Sequence, residues 1–226
     1  TMYCNQIYFG HGAYGVEAAE SIETVEAFNR HTRQTRRLSN GECAFGYRDS
    51  RFKRERDEWV ITAVEFRLNR NHALKMNYAG VPEELAAMGI KAPKAAHLAE
   101  AISRIRSRKL PNPALIGNAG SFFKNPVLAD AQAATLKAQY PSLPVFASGH
   151  AGSSKLSAAW LIEQAGWKGY RAGDAGIADQ HALVLVNHGH ASGMELLQVA
   201  RQVVASVKDK FGITLEPEPR IIGAAF

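Results

Sequence analysis

Cysteine is scarce: Cys4 and Cys43 are the two thiols in 226 residues. Two cysteines fit neither a disulfide framework nor a CxxC metal site, so a reducing compartment is the default reading. No apolar run reaches the length that spans a bilayer, and no charged-then-apolar signal opens the chain. A cytoplasmic protein without a membrane partner is expected. Long basic tracts are missing as well. Lys and Arg number 27 against 21 Asp and Glu, a net charge of +6, but the surplus is spread along the chain. Aromatics are not interleaved with it as on an RNA-binding sheet. A small anion is favoured over nucleic acid as the partner. The nucleophile elbow GxSxG does not occur. His188 and His190 lie two apart with no third ligand, which points to an exposed turn and no metal site.

What is present is an ordinary globular composition. Hydrophobic residues make up 46%, enough for one large domain or two small ones, each with its own core. Residues 22–30 (IETVEAFNR) alternate apolar and polar, the pattern of a half-buried strand. A polar turn at HTRQ leads to a second strand near Thr35–Leu38, and the pair reads as a hairpin. Residues 59–68 (WVITAVEFRL) alternate again, after a charged loop, FGYRDSRFKRERDE. A short helix is expected over 82–88, with Pro82 in its first turn. A longer one follows Pro93 as far as about Arg108, with Leu98, Ile102 and Ile105 as its apolar stripe. KLPNP ends that helix, because proline cannot continue it, and marks a domain boundary near Lys109–Pro113.

Beyond it, GNAGSFFKNP reads as a glycine-rich loop. A helix near Ala129–Gln139, a Pro/Gly/Ser linker to Ser154 and a helix over 155–165 stopped by Gly166 follow. Residues 182–187 read as a buried strand. Ser192 and Glu195 form a capping box for a helix to about Lys210 with Leu196, Ala200, Val203 and Val207 on its buried face. Gly212 ends that helix, and Ile213–Leu215 is expected as a last strand. Strands in antiparallel hairpins with helices grouped between them give an α+β class with two lobes.

Three places could carry chemistry. In GNAGSFFKNP, Gly117 and Gly120 permit positive φ and close backbone approach. Ser121 then exits the glycine turn, followed by Lys124 and Asn125; the alternative is an ordinary glycine loop with a capping serine. Arg48 lies in a run with Arg51, Lys53, Arg54 and Arg56, and such runs are usually solvated faces neutralised locally, here by Asp49, Glu55, Asp57 and Glu58. Arg48 alone is flanked by aromatics that could hold it partly buried, where a guanidinium suits a carboxylate or phosphate. Glu218 sits between two prolines in LEPEPR, which stiffen the backbone and aim the side chain; the alternative is a rigid surface segment.

FGYRDS, KLP, GNAGSFFKNP, KLSAAWLIEQAG, HALVLVN and LEPEPR, in this order, resemble the family of UDP-N-acetylenolpyruvoylglucosamine reductases, and GAYGVE (Gly12–Glu17) resembles the family's segment beside the flavin ring. The resemblance runs from about Gly12 to Gly223. It implies reduction of UDP-N-acetylglucosamine enolpyruvate to UDP-N-acetylmuramate with FAD and NADPH, in cell-wall precursor synthesis, by a monomer. Ser121 is implied as the general acid, and Arg48 and Glu218 as the pair polarising the enolpyruvyl group. Tyr78 in LKMNYAG, which resembles the substrate-closing tyrosine of the longer subtype, is implied in substrate binding with Lys109 and Asn125. Gly12, Ala13, Tyr14, Gly15 and Arg48 are implied beside the flavin. His181 stands where some members have glutamine. The implied domains are 1–110, part of the FAD-contacting domain; 111–212, the substrate-binding domain; and 213–226, a return segment carrying the glutamate. The family's N-terminal flavin-cradling domain has no counterpart in the sequence, and IIGAAF stops short of its usual closing strand. Flavin-free purification is therefore expected, and the alternative is an inactive remnant that at most binds a UDP-sugar.

Overall fold

The computed structural model describes residues 12–13, 16–70, 73–78 and 80–226. Backbone contacts divide the chain into two units, one ending at Ile105 and one running from Arg106 to Phe226. Every strand pairing among the described residues is antiparallel, and helices pack against the sheets, as the α+β reading expects.

The first unit opens on a two-residue pair, β1 (Gly12–Ala13) with β2 (Val16–Glu17). Its main sheet has β3 (Ile22–Asn29) in the centre, between β4 (Gln34–Ser39) and β5 (Trp59–Phe66). Ile22, Val25 and Ala27 of β3 are buried with Leu38 of β4. The alternation in β5 changes phase midway, with Trp59 and Ile61 and then Val64 and Phe66 packing on the core. The ladder shows why: Ala27 faces Ile61 but Glu26 faces Ala63. Thr62 is the extra residue of a bulge, and a bulge shifts which face each later side chain meets.

A short helix, α1 (Asn40–Cys43), follows β4, and a second, α2 (Arg51–Arg54), interrupts the stretch expected as a plain charged loop. Each is started by a serine whose hydroxyl accepts a backbone N–H, Ser39 from Glu42 and Ser50 from Lys53. Serine caps this close to charged residues are easily read as loop polarity. Helix α3 (Val81–Ala87) has Pro82 in its first turn, and α4 (Ala95–Lys109) packs Ala101 and Ile105 against Val81 and Leu85, with Leu98 and Ile102 at the edge of that cluster.

The second unit has two sheets. One runs β10 (Arg171–Ala172), β11 (Ala175–Ile177), β12 (Val184–Asn187), β6 (Gly117–Ser121). The other runs β7 (Val127–Ala129), β9 (Ser153–Leu156), β8 (Val145–Ala147). Helices α5 (Asp130–Gln139), α6 (Ala158–Gln164) and α7 (Gly193–Phe211) complete it. Three expectations are corrected. GNAGS is a strand, the stretch expected as a linker contains β8 and β9, and α6 starts at Ala158 because Lys155 and Leu156 belong to β9. Ser157 caps α6 by accepting the Trp160 N–H at 3.2 Å.

Helix α7 buries Leu197, Val199, Ala200, Val203 and Val207, with Leu196 only partly covered. Ser192 and Glu195 satisfy each other's backbone N–H groups, at 3.3 Å and 2.7 Å, and Gly212 closes the helix in the left-handed conformation. Ser192→Ala removes the hydroxyl acceptor and should lower the stability of this unit by about 1 kcal/mol, within the ~0.5–2 kcal/mol range for such caps. Ser192→Asp should keep most of it. Denaturant midpoints of the three proteins decide; an alanine variant as stable as the parent refutes the cap's role.

Candidate functional site

In the first unit, Arg48 occupies a tight turn. Gly46 and Asp49 exchange backbone hydrogen bonds of 2.9 and 3.1 Å, enclosing Tyr47 and Arg48. Arg48 has φ +54°, uncommon for a residue with a β-carbon. Its guanidinium lies 5.3 Å from the centre of the Tyr47 ring, and the residue is half-buried, as the flanking aromatics suggested. The neighbouring basic run is not a plain solvated face. Arg51 pairs with Glu55 at 2.8 Å with both side chains about two-thirds covered, and Arg54 pairs with Asp49 of the turn itself. Tyr78, 42% exposed, accepts the Val81 N–H at 3.0 Å through its carbonyl, just ahead of α3. Gly12 and Ala13 form β1, while Tyr14 and Gly15 lie outside the described residues.

In the second unit, the glycine-rich segment is the end strand β6, hydrogen-bonded to β12. Gly117 sits opposite Asn187 with no positive φ, so the expected turn role at this glycine is corrected. Between the pairs Ser121–Val184 and Asn118–Val186, β6 carries one residue more than β12. Gly120, with φ +77°, absorbs it. Asn118 braces this bulge, its Oδ1 accepting the Gly120 N–H at 3.1 Å and its Nδ2 donating to Ile116 O at 3.0 Å. The bulge sits immediately before Ser121, where such irregularities re-aim a side chain.

After Ser121 the chain is held from two sides. Phe122 N–H donates to Leu183 O at 2.7 Å, and Phe122 O accepts from Glu218 N–H at 2.7 Å. Two residues on, Lys124 N–H donates to Glu216 O at 3.0 Å, and its Nζ meets the Glu216 carboxylate at 3.0 Å. Phe122 and Phe123, both buried, anchor this strip in the core. The pairing of the C-terminal segment thus falls at residues 216–218. Ile213–Leu215, expected as a strand, belongs to no named strand; Ile213 and Leu215 are core residues. Ser121 and Glu218, 97 positions apart in sequence, are brought onto neighbouring rungs. Asn125, four residues after Ser121, has its Oδ1 accepting the Ala158 N–H at 2.9 Å, which makes it part of the start of α6. Lys109 is exposed at the last position of α4.

Residues 112–222 match the model of the UDP-N-acetylenolpyruvoylglucosamine reductase C-terminal domain family. Over 213 residues, 94% of its length, the chain is 54% identical to the UDP-N-acetylenolpyruvoylglucosamine reductase of Xylella fastidiosa and 55% identical to that of Xanthomonas axonopodis pv. citri. The chain is similar to this reductase family over nearly its whole length. It spans 61% of the length of these curated relatives. A crystal structure of the Thermus caldophilus UDP-N-acetylenolpyruvylglucosamine reductase shares the fold, with a TM-score of 0.56 and 24% identity over 95% of this chain and 57% of that one. No helix among the described residues is long and apolar enough to cross a membrane.

His181 is half-buried just ahead of β12. Its Nδ1 accepts the Leu183 N–H at 3.2 Å, so the neutral ring carries its proton on Nε2. Burial holds its pKa below the ordinary histidine value, and the charges of Lys109 and Lys168 add to this, with Glu163 opposing. Sequence reasoning gave no sign of this environment, because Lys109 and Lys168 approach it only through the fold. The folded imidazole gives up its proton more readily than the unfolded one. As pH falls through about 6.5, the unfolded state takes up the proton first and stability drops; the loss levels off once folded His181 is protonated too. His181→Gln should flatten that part of the stability profile between roughly pH 7.5 and 5, and NMR titration of the ring should give a midpoint below the ordinary histidine value. A normal or raised midpoint contradicts this account.

Proposed function

We propose that this chain performs the reductive half of UDP-N-acetylmuramate formation: FAD- and NADPH-dependent reduction of UDP-N-acetylglucosamine enolpyruvate, in the cytoplasm. The observation that carries the reading is the 2.7 Å bond from Glu218 N–H to Phe122 O, which sets the Glu-Pro segment beside the strand that ends in Ser121.

The described residues suit the ring end of a flavin. The β1–β2 pair, with Gly12 facing Glu17, offers backbone a planar ring can approach, and Arg48 offers a half-buried cation. A flavin diphosphate calls for backbone donors at a helix start or glycine loop. In this unit α1 and α2 have their first turns occupied by Ser39, Glu42 and Ser50, so neither of these two helix starts offers such a cradle. When bound, the flavin supplies hydride to C3 of the enolpyruvyl group.

The chain's own residues handle the charge and the proton. Hydride at C3 leaves carbanion character on C2, delocalised into the adjoining carboxylate. The Arg48 guanidinium is suited to stabilise that developing charge. The Ser121 hydroxyl donates its proton to C2, giving the CH3–CH lactyl group, and regains a proton from solvent. A serine hydroxyl is a weak acid, so a nearby cation or an ordered hydrogen-bond chain is needed to ease its ionisation. Glu218 orients the enolpyruvyl group from the neighbouring rung. Lys109 and the amide hydrogens of Asn125 are donors for the UDP diphosphate, with Tyr78 closing over the substrate. His181, holding a neutral Nε2–H, can donate where a glutamine amide would.

In the full-length enzyme, Ser121→Ala should leave flavin reduction by NADPH nearly intact, because that half-reaction needs no proton at C2. Reduction of the enolpyruvyl substrate should slow by roughly two to four orders of magnitude. Ser121→Cys should recover part of the rate, and Arg48→Ala should weaken both substrate binding and turnover. Stopped-flow flavin absorbance separates the halves. Equal slowing of both by Ser121→Ala, or of neither, contradicts the assignment.

A further inference from the structure

The basic stretch after the Arg48 turn has a use that local charge neutralisation does not explain. Phe52, 1% exposed, plugs α2 into the core beside Leu38 and Cys43 and meets Trp59 edge-on at 6.4 Å. Ser50, fully buried, starts that helix. With α2 fixed in this way, its next two residues reach back to the turn that precedes it. Lys53 Nζ donates to Arg48 O at 3.0 Å from a half-buried position. Arg54 pairs with the Asp49 carboxylate and donates to Ala44 O at 3.0 Å. The two lysine and arginine contacts therefore bracket the one residue of the turn that holds a positive φ.

We infer that Lys53 is a positioning residue for Arg48: its ammonium, held by α2, grips the Arg48 carbonyl and keeps the turn in the left-handed conformation that aims the guanidinium. The inference rests on Arg48 having the role proposed above. Left to itself, a non-glycine residue drifts out of the left-handed region, because its β-carbon crowds the following carbonyl. The Gly46–Asp49 backbone bonds close the turn and hold the peptide after Arg48 at its Asp49 N–H; Lys53 holds the same peptide at the Arg48 carbonyl, so its orientation is fixed from both ends. Lys53 touches the backbone of Arg48, so it acts on the reaction through Arg48's placement. A guanidinium misplaced by about 1 Å can cost on the order of a hundredfold in rate.

The test is a double-mutant cycle in the full-length, flavin-loaded enzyme, following the two half-reactions separately. Lys53→Met should slow substrate reduction roughly ten- to a hundredfold, slow flavin reduction by NADPH far less and leave the thermal midpoint close to the parent's. Lys53→Arg should restore part of the rate. Added to Arg48→Ala, Lys53→Met should cost nothing further, since two residues acting through one guanidinium are not additive. The inference fails if Lys53→Met slows substrate reduction as much without Arg48 as with it, slows neither half-reaction, or lowers the melting temperature and slows both together. If Arg48→Ala itself leaves substrate reduction untouched, the Arg48 assignment falls and this inference falls with it, and the Arg48 variant alone reveals that.

Discussion

Everything proposed for the second unit depends on one short pairing, Phe122–Lys124 against Glu216–Glu218. Two kinds of force hold it, and they do different things. Burial of Ile213 and Leu215 contributes about 1.5–3 kcal/mol for each side chain, while the two backbone bonds contribute about 1 kcal/mol each. The apolar anchors therefore supply most of the adhesion. The hydrogen bonds set the register, and register is what matters for chemistry, because a slip of one residue exchanges the faces of every side chain in an extended segment. Pro217 and Pro219 suit this arrangement: proline has no N–H to offer a ladder, and Glu218 between them supplies the donor that is used.

The strand that receives this segment is itself prepared by the bulge at Gly120. A regular β6 would carry Ser121 in the same alternation as Gly117. The extra residue breaks that alternation one position before the serine, and Asn118 closes the bulge with its own side chain. Downstream, Phe122 and Phe123 are buried, so the serine is fixed between a braced irregularity and a hydrophobic anchor. Neither feature touches the chemistry, yet both decide where the hydroxyl points.

Much of the scaffold could be read from residue order. The β3–β4 hairpin, β5, helices α3, α4 and α5, and the capping box of α7 follow from alternation, 3.6-residue periodicity and cap residues acting within a few positions. The rest is set by partners distant in sequence. GNAGS carries no strand propensity, and only β12 makes it a strand. β8 and β9 are three and four residues long, too short for an alternating pattern to show, so pairing decides them. The C-terminal segment pairs at its prolines and not at the β-branched residues before them, because Ile213 and Leu215 are taken by the core. In the candidate site, the residue types stood out as motifs, whereas the Ser121–Glu218 adjacency, the Asn125 cap on α6 and the Lys53 grip on Arg48 are products of folding. An N-x-G bulge ahead of Ser121 and a buried phenylalanine between Arg51 and Lys53 were the local signals for two of them.

The central claim is that the glutamate segment is laced to the Ser121 strand by specific backbone bonds. Amide hydrogen exchange at Glu218 and Lys124 tests it directly, because these two N–H groups are the donors of the pairing. The account predicts that both exchange slowly, with protection comparable to the β6–β12 amides, and that Leu215→Ala, by loosening the anchor, speeds Glu218 exchange more than exchange in β12. Exchange at Glu218 and Lys124 as fast as in an unstructured peptide, with β12 still protected, would contradict it.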